Sequence, residues 1–174
     1  VTARTDPELS AALDGADLLA PDGHPIAWHL RRAGFRDQDR VCGPDLMWLL
    51  LKEAERAGLS VYFYGERLPT LSRLRHALQQ AFPGLQIAGM HSPPFRTLTP
   101  AEDREVVDEI NRSGAHIVFV ALGCPKQEKW IRQHQAELAV PVAIGVGGSF
   151  DVLAGRVKRA PQWMQRAGLE WLYR

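Results

Sequence analysis

Residues 116–130 read HIVFVALGCPKQEKW, and this stretch decides the fold. Its first half is a continuous apolar run that ends at Gly123, the pattern of a strand buried on both faces of a parallel sheet. Its second half begins a helical pattern that extends over 126–138. A buried strand that passes through a short glycine turn into a helix is the repeating part of a βαβ unit.

The same alternation recurs along the chain. Strand patterns occupy 60–65, 85–90 and 141–148, and helical patterns occupy 43–58, 69–82 and 99–114. The helix over 99–114 has the clearest limits, with Thr99 as N-cap, Pro100 at the first helical position and Gly114 as its stop. The sequence therefore predicts the α/β class: a mostly parallel, Rossmann-like sheet flanked by helices on both faces. Its length suits a single domain over 1–174.

Composition excludes several classes of protein. The chain has 174 residues, 45% hydrophobic and 24% charged, which is ordinary for a soluble domain. Its net charge of +1 gives no overall field for nucleic acid, and no such partner is expected. Cys42 and Cys124 form neither a disulfide framework nor a metal-binding CxxC, so a reducing, cytoplasmic setting is expected. No apolar stretch reaches the roughly 18 residues of a membrane span.

Glycine and polar residues follow the predicted strands. In an open parallel sheet, ligands bind beyond the carboxyl ends of the strands. Four such ends share this composition: FYGE (63–66), AGMHSPPF (88–95), ALGCPKQE (121–128) and GVGGSFD (145–151). Glycine lets backbone N–H groups approach a phosphate, and a following helix adds its positive dipole end. In any one loop glycine can serve the turn alone, but the set predicts a nucleotide or sugar-phosphate site.

The familiar cofactor and metal motifs are missing or weak. There is no GxxxxGK[ST], and Phe150 stands where a dinucleotide fingerprint needs its third glycine. Asp37 and Asp39 have the Asp-x-Asp spacing that can hold a divalent metal with a diphosphate. Arginines flank both, however, and no buried strand leads into them, which favours a solvated turn. We expect no cofactor and no metal site.

Asp22 lies in a distinctive segment, ADLLAPDGHPIAW (16–28). An aspartate in a tight turn is often only a turn residue. Held between the two apolar patches, it could instead have a raised pKa and act as a general base. The residues alone leave both roles open.

Five segments together resemble one family. They are ADLLAPDGHPIAW, VCGPDLM (41–47), VYFYGE (61–66), IVFVALGCPKQEKWI (117–131) and AIGVGGSFDVLAGRVKRAPQWMQRAGLEWLYR (143–174). The order PKQE, GGxFD, AG, RAP, GLEW is hard to obtain by chance, and the sequence resembles the WecG/TagA/CpsF family of bacterial glycosyltransferases. The resemblance implies inverting, metal-independent transfer of a hexose or N-acetylhexosamine, or its uronic acid. The donor would be a UDP-sugar and the acceptor a polyprenyl-diphosphate-linked sugar.

The resemblance also implies a location and partners. Such enzymes assemble cell-surface polysaccharides, so we expect a cytoplasmic protein peripheral to the inner face of the bacterial cell membrane, which can self-associate as a homo-oligomer. Relative to the family, the chain is expected to lack an early strand with a Thr-x-Asn motif and a basic C-terminal appendage. The segment 160–174 suits a subunit contact, a membrane-surface helix or packing onto the core.

Site residues follow from the same resemblance. Asp22, next to Gly23, matches the family's proposed catalytic base. Lys126 and Gln127 are expected near sugar or diphosphate, and Glu128 either caps its helix or binds a hydroxyl. Arg159 pairs with Asp151 or Glu170, or reaches a phosphate. The other expected substrate-binding residues are Gly43, Asp45, Gly65, Gly123, Pro125, Gly147, Gly148, Phe150 and Asp151.

Two other functions remain open at this point. One is a non-catalytic sugar-nucleotide-binding or assembly module of the same fold, which would bind UDP without turnover. The other, weaker, is an NAD-type oxidoreductase, which would bind NAD(H) and not UDP.

Overall fold

A computed structural model describes residues 2–166 as alternating helices and strands. After a 3₁₀ turn at Thr2–Arg4, the elements are α1 (Pro7–Asp14), α2 (His24–Arg32), α3 (Gly43–Ala57), β1 (Ser60–Gly65), α4 (Leu68–Ala81), β2 (Gln86–His91), α5 (Pro100–Arg112), β3 (Ile117–Ala121), α6 (Lys126–His134), β4 (Val142–Gly145), α7 (Ser149–Leu153) and α8 (Gln162–Arg166). In this part of the chain, no helix combines the length and apolar character needed to cross a bilayer.

The four strands form one parallel sheet in the order β2-β1-β3-β4. At the centre of the sheet, Phe63 of β1 is in register with Met90 of β2 and Phe119 of β3. Every neighbouring pair of strands is joined through a helix, as parallel pairing requires. The predicted mostly parallel α/β sheet is confirmed.

Helices cover both faces because side chains alternate along each strand. Val61 and Phe63 of β1 point into a core shared with α3, α4 and α7. Tyr62 and Tyr64 point into a second core, shared with α5 and α6. All four side chains are almost fully buried. The prediction of helices on both faces, made from the apolar runs of the strands, is therefore confirmed.

Two predicted elements have different limits in the structure. The pattern over 141–148 predicts a buried strand, but β4 is short, pairs with β3 at the edge of the sheet and leaves Val142 43% exposed. Helix α6 ends at His134 rather than at 138, and the His134 carbonyl accepts hydrogen bonds from the backbone N–H groups of Glu137 and Leu138. Apolar content alone could not distinguish an edge strand from a central one.

The N-terminal segment contributes a helix that the strand patterns did not predict. Asp6 caps α1 by accepting a hydrogen bond from Leu9 N at 3.0 Å. The same carboxylate pairs with Lys129 of α6, with Nζ and Oδ2 2.8 Å apart. Helix α1 therefore docks on α6, the helix that follows the central strand β3.

Candidate substrate-binding site at the carboxyl edge of the sheet

The order of the strands defines a crevice between the ends of β1 and β3. Helix α4, which follows β1, packs on one face of the sheet, whereas α6, which follows β3, packs on the other. At such a switch point the two chain segments diverge, and ligands of open α/β sheets commonly bind between them. The loops after Gly65 and Ala121, both predicted as ligand loops, border this crevice.

The backbones of β1 and β3 are in close contact at the base of the crevice. Gly65 has φ 121°, and a Cβ added there would lie 2.3 Å from the carbonyl oxygen of Ala121. The next residue, Glu66, has φ 60° and is the one non-glycine residue between 2 and 166 with positive φ. Its carbonyl accepts a hydrogen bond from Ser92 Oγ at 2.6 Å. Strained backbone of this kind concentrates at functional sites.

Glu66 is not among the site residues predicted from the sequence, and its backbone conformation makes it a further candidate. A positive φ cannot be predicted from a glutamate, because glutamate rarely adopts that conformation. The available signal was its position, as a charged residue directly after a strand that ends in glycine.

Gln127 joins the loop after β3 to the loop after β4. Its side chain is buried, and Oε1 accepts a hydrogen bond from Gly147 N at 3.0 Å. Its Nε2 donates to Glu128 Oε1 at 2.9 Å. A Cβ on Gly145 would lie 2.9 Å from Gln127 Nε2, so the strand has glycine where this side chain passes. Gln127 thus fixes the glycine loop, and its expected contact with sugar or diphosphate stays a prediction.

Three glycines leave backbone open beside the crevice. A Cβ built on Gly123, Gly147 or Gly148 would meet nothing within 4 Å. Gly123 and Gly147 also have φ of 79° and 52°, which favours glycine. Lys126, at the start of α6, is exposed. These loops therefore leave space beside their backbone, with the Gly147 N–H itself already bonded to Gln127, and Lys126 places a cation at the start of α6.

Cys124 is an exposed thiol in this loop. Partial desolvation, followed by the charge of Glu128, raises the pKa of the Cys124 thiol. The neighbouring Pro125 is the N-cap residue of α6 and follows a cis peptide bond.

Gly43 and Phe150 serve packing around the site. A Cβ on Gly43 would lie 2.7 Å from Ser149 Oγ and 3.1 Å from the Val146 carbonyl oxygen, so α3 begins directly against the β4–α7 loop. Phe150 is 0% exposed and makes an edge contact with Phe63, their ring centroids 5.6 Å apart. Both residues were predicted to bind substrate, and the structure assigns each a clear packing role.

The described ion pairs differ from one of the pairings expected for Arg159. Arg159 Nη1 donates to Asp45 Oδ1, and its Nη2 lies 3.3 Å from Oδ2. Asp151 instead accepts from Arg156 Nη1 at 2.9 Å. Pairing of Arg159 with Asp151 is therefore wrong, because Arg156, five residues after Asp151, occupies that carboxylate. Glu170 lies outside the described residues.

Asp45 and Arg159 line a small pocket. Burial raises the pKa of Asp45, but hydrogen bonds from Arg159 and Cys42 outweigh it and hold that pKa below its usual range. The pocket measures about 230 Å³ and lies between α3 and α7. Its lining consists of Pro44, Asp45, Trp48, Val152, Leu153 and Arg159.

Asp22 lies in an exposed turn before α2. Its side chain is exposed, and both the turn role and the base role stay predictions. The preceding Pro21 is buried, and its carbonyl accepts a hydrogen bond from Val41 N at 3.1 Å. Val41 comes just before Cys42, the N-cap of α3, and α3 begins at the β4–α7 loop. This chain of contacts links the segment before Asp22 to the loop between β4 and α7.

Asp37 and Asp39 are exposed in the loop between α2 and α3, as the solvated-turn interpretation expects. Across residues 2–166, no group of three or more His, Cys, Asp or Glu side chains is arranged to hold a metal ion.

The fold is that of a doubly wound α/β protein, and the loops at its switch point are the candidate ligand site. Comparison with known families identifies which one. The chain belongs to the Glycosyl transferase WecG/TagA/CpsF family, whose model matches residues 1–174.

Two curated relatives carry the same name, N-acetylglucosaminyldiphosphoundecaprenol N-acetyl-beta-D-mannosaminyltransferase. The protein from Bacillus spizizenii is 38% identical over 172 residues, which cover 99% of this chain and 65% of the relative. The protein from Bacillus subtilis is 35% identical over 170 residues, which cover 97% of this chain and 64% of the relative. The chain thus spans about two thirds of the length of these relatives.

Proposed function

We propose that this chain carries the catalytic site of a glycosyltransferase of cell-surface polysaccharide synthesis. It would move a hexose or N-acetylhexosamine, or its uronic acid, from a UDP-sugar to a polyprenyl-diphosphate-linked sugar. The observation that carries the proposal is the pair of glycine-containing loops that follow β1 and β3 at the switch point of the sheet, in a member of this family. The relatives' name makes N-acetylmannosamine the first donor sugar to test.

The donor diphosphate would lie along the open glycine loops. Backbone N–H groups near Gly123 and Gly147, the N-terminal end of α6 and the Lys126 ammonium are all suited to an anion. These groups would stabilise the charge that develops on UDP as it leaves.

Asp22 would act as the general base. Its carboxylate would take the proton of the acceptor hydroxyl while that oxygen attacks the anomeric carbon from the side opposite UDP. The new glycosidic bond forms as the bond to the diphosphate breaks, which inverts the anomeric centre. The proposed reaction uses no divalent metal.

A lipid-linked acceptor implies action at the cytoplasmic face of the membrane, with the protein bound peripherally. Support comes from α2, where Ile26 and Trp28 are exposed beside Arg31 and Arg32. The guanidinium of Arg32 lies over the Trp28 ring, 3.7 Å from its centroid. Exposed aromatic and cationic side chains on one helix suit an anionic lipid surface. Self-association stays a prediction.

The test is release of UDP from a panel of UDP-sugars with a short-chain lipid-diphosphate N-acetylglucosamine acceptor. We expect release that needs both substrates and continues in EDTA. UDP binding without turnover would support the non-catalytic module instead. Loss of turnover in EDTA would contradict metal independence, and NAD(H) binding without UDP binding would support the oxidoreductase.

A further inference from the structure

Glu128 has one carboxylate oxygen without a partner. It is the third residue of α6, and its Oε1 accepts a hydrogen bond from Gln127 Nε2 at 2.9 Å. Its Oε2 is buried, and among residues 2–166 it has no hydrogen-bond partner. It is the one buried side-chain nitrogen or oxygen of the described chain in this condition.

The sequence explains why no cap satisfies this oxygen. A glutamate at the third helical position normally accepts a hydrogen bond from the backbone N–H of the N-cap residue. The N-cap of α6 is Pro125, which has no N–H.

Helix α5 shows the complete arrangement in the same molecule. Glu102 holds the equivalent third position, and its Oε2 accepts from Thr99 N, the N-cap, at 2.8 Å. Both helices therefore have a glutamate at the third position, but only α5 has a backbone N–H at its N-cap to donate to it. Glu128 was expected either to cap its helix or to bind a hydroxyl, and Pro125 excludes a capping box as the form of that cap.

A buried acceptor without a donor destabilises the folded protein. Because this acceptor lies next to a predicted ligand loop, a bound ligand is a suitable source of the missing donor. Glu128 lies five residues after Gly123, at the start of the helix that borders the crevice. The residue as a whole is partly exposed, and the terminal torsion of a glutamate is soft. The carboxylate can therefore turn when a ligand brings a donor to it.

The chemistry of the site identifies the ligand group. A carboxylate accepts hydrogen bonds and repels phosphate, which has acceptors alone. Sugar hydroxyls and the N–H of an N-acetyl group are donors. We propose that Glu128 binds a hydroxyl or amide N–H of a substrate sugar and so selects the sugar that the enzyme uses. This inference rests on the proposed function.

Binding of UDP and of UDP-N-acetylmannosamine to the wild type and to Glu128→Gln tests it. If the donor sugar is the ligand, the variant binds UDP unchanged and loses about tenfold or more of its affinity for the UDP-sugar, as expected for a lost hydrogen bond to a charged group. If the acceptor sugar is the ligand, UDP-sugar affinity stays and the KM for the lipid-linked acceptor rises by a similar factor. Unchanged values for both substrates would overturn the proposal. Failure of the wild type to bind UDP at all would overturn the proposed function first.

Thermal stability separates a ligand role from a structural one. Glu128→Gln keeps an oxygen that can accept from Gln127 Nε2 and removes the carboxylate oxygen that lacks a donor, so we expect its melting temperature to equal or exceed that of the wild type. The matched control is Glu102→Gln, which weakens a satisfied carboxylate and should lower it. A lower melting temperature for Glu128→Gln, combined with unchanged sugar binding, would assign Glu128 to the fold.

Discussion

At the scale of single residues, the crevice depends on the backbone conformation of the two residues at the end of β1. Gly65 is pressed against the Ala121 carbonyl, and its neighbour Glu66 has positive φ. Together they turn the chain sharply at the end of β1 and keep β1 close to β3. The shape of the crevice therefore depends on a glycine that makes no contact through a side chain.

Replacement of Gly65 by alanine should strongly destabilise the protein. The matched control is Gly34→Ala, since Gly34 has a similar φ of 110° but nothing within 4 Å of an added Cβ. We expect the control to cost about 1–2 kcal/mol from backbone strain, and Gly65→Ala to cost clearly more because the Cβ overlaps Ala121. Denaturant unfolding measures both. Equal losses would show that the Ala121 contact relaxes freely.

The role of Asp22 gives the second prediction at this scale. Asp22→Asn keeps the shape of the side chain but removes the base, so turnover should fall about 10²–10⁴-fold, as when a general base is lost. UDP affinity should stay unchanged. Asp37→Asn, in the exposed loop between α2 and α3, serves as the control and should keep full activity. Near-normal turnover by Asp22→Asn would remove it as the base.

At the scale of elements, α5 shows how much a sequence can determine locally. The start of α5 was predicted at Thr99 and Pro100, and the structure has a capping box there. Such limits are predictable because the cap forms between residues three apart. The edge position of β4 was not predictable, since it depends on which strands pair with it.

Stability at the start of α5 should depend on pH. Arg96, followed by the backbone and hydroxyl of Thr99, lowers the pKa of Glu102 from 4.5 to about 2. Because the folded pKa lies below the unfolded one, the stabilisation is complete above pH 4.5 and is lost as pH falls towards 2. Glu102→Gln should thus be less stable than the wild type at pH 7, with the difference shrinking below pH 4.5.

Urea unfolding of both proteins between pH 7 and pH 3 measures this effect. Glu105→Gln, an exposed position in the same helix, is the control and should follow the wild type at each pH. A Glu102→Gln difference that stays constant with pH would show that the Glu102 carboxylate does not titrate with folding.

At the scale of the whole molecule, residues that are far apart in sequence contact each other around the site. These long-range contacts are the part of the site that could not be predicted from the sequence. The glycine loops were predictable because each follows its own strand pattern. The pairing of Arg159 with Asp45 was not, because the partners are 114 residues apart and several acids were available. The exposure of Asp22 likewise depends on how the segment before α2 packs.

Membrane binding is the prediction that belongs to this scale. We expect the protein to sediment with vesicles that contain anionic lipid, to bind neutral vesicles less and to be released by salt. Trp28→Ser should weaken binding, since this ring is 55% exposed beside arginines. Val142→Thr, at the amino end of the sheet, is the control for an exposed apolar side chain elsewhere. Equal binding by both variants would exclude α2 as the contact.

The central position of β1 has a consequence for how the chain folds. Val61 pairs with Ile87 on one side and with Ile117 on the other, 56 residues along the chain. Local contacts cannot form these pairs, so the polypeptide must close long loops before the sheet gains its stability. Until then the apolar VYFY segment of β1 is unprotected and able to associate with other chains. Refolding yield should therefore fall as protein concentration rises.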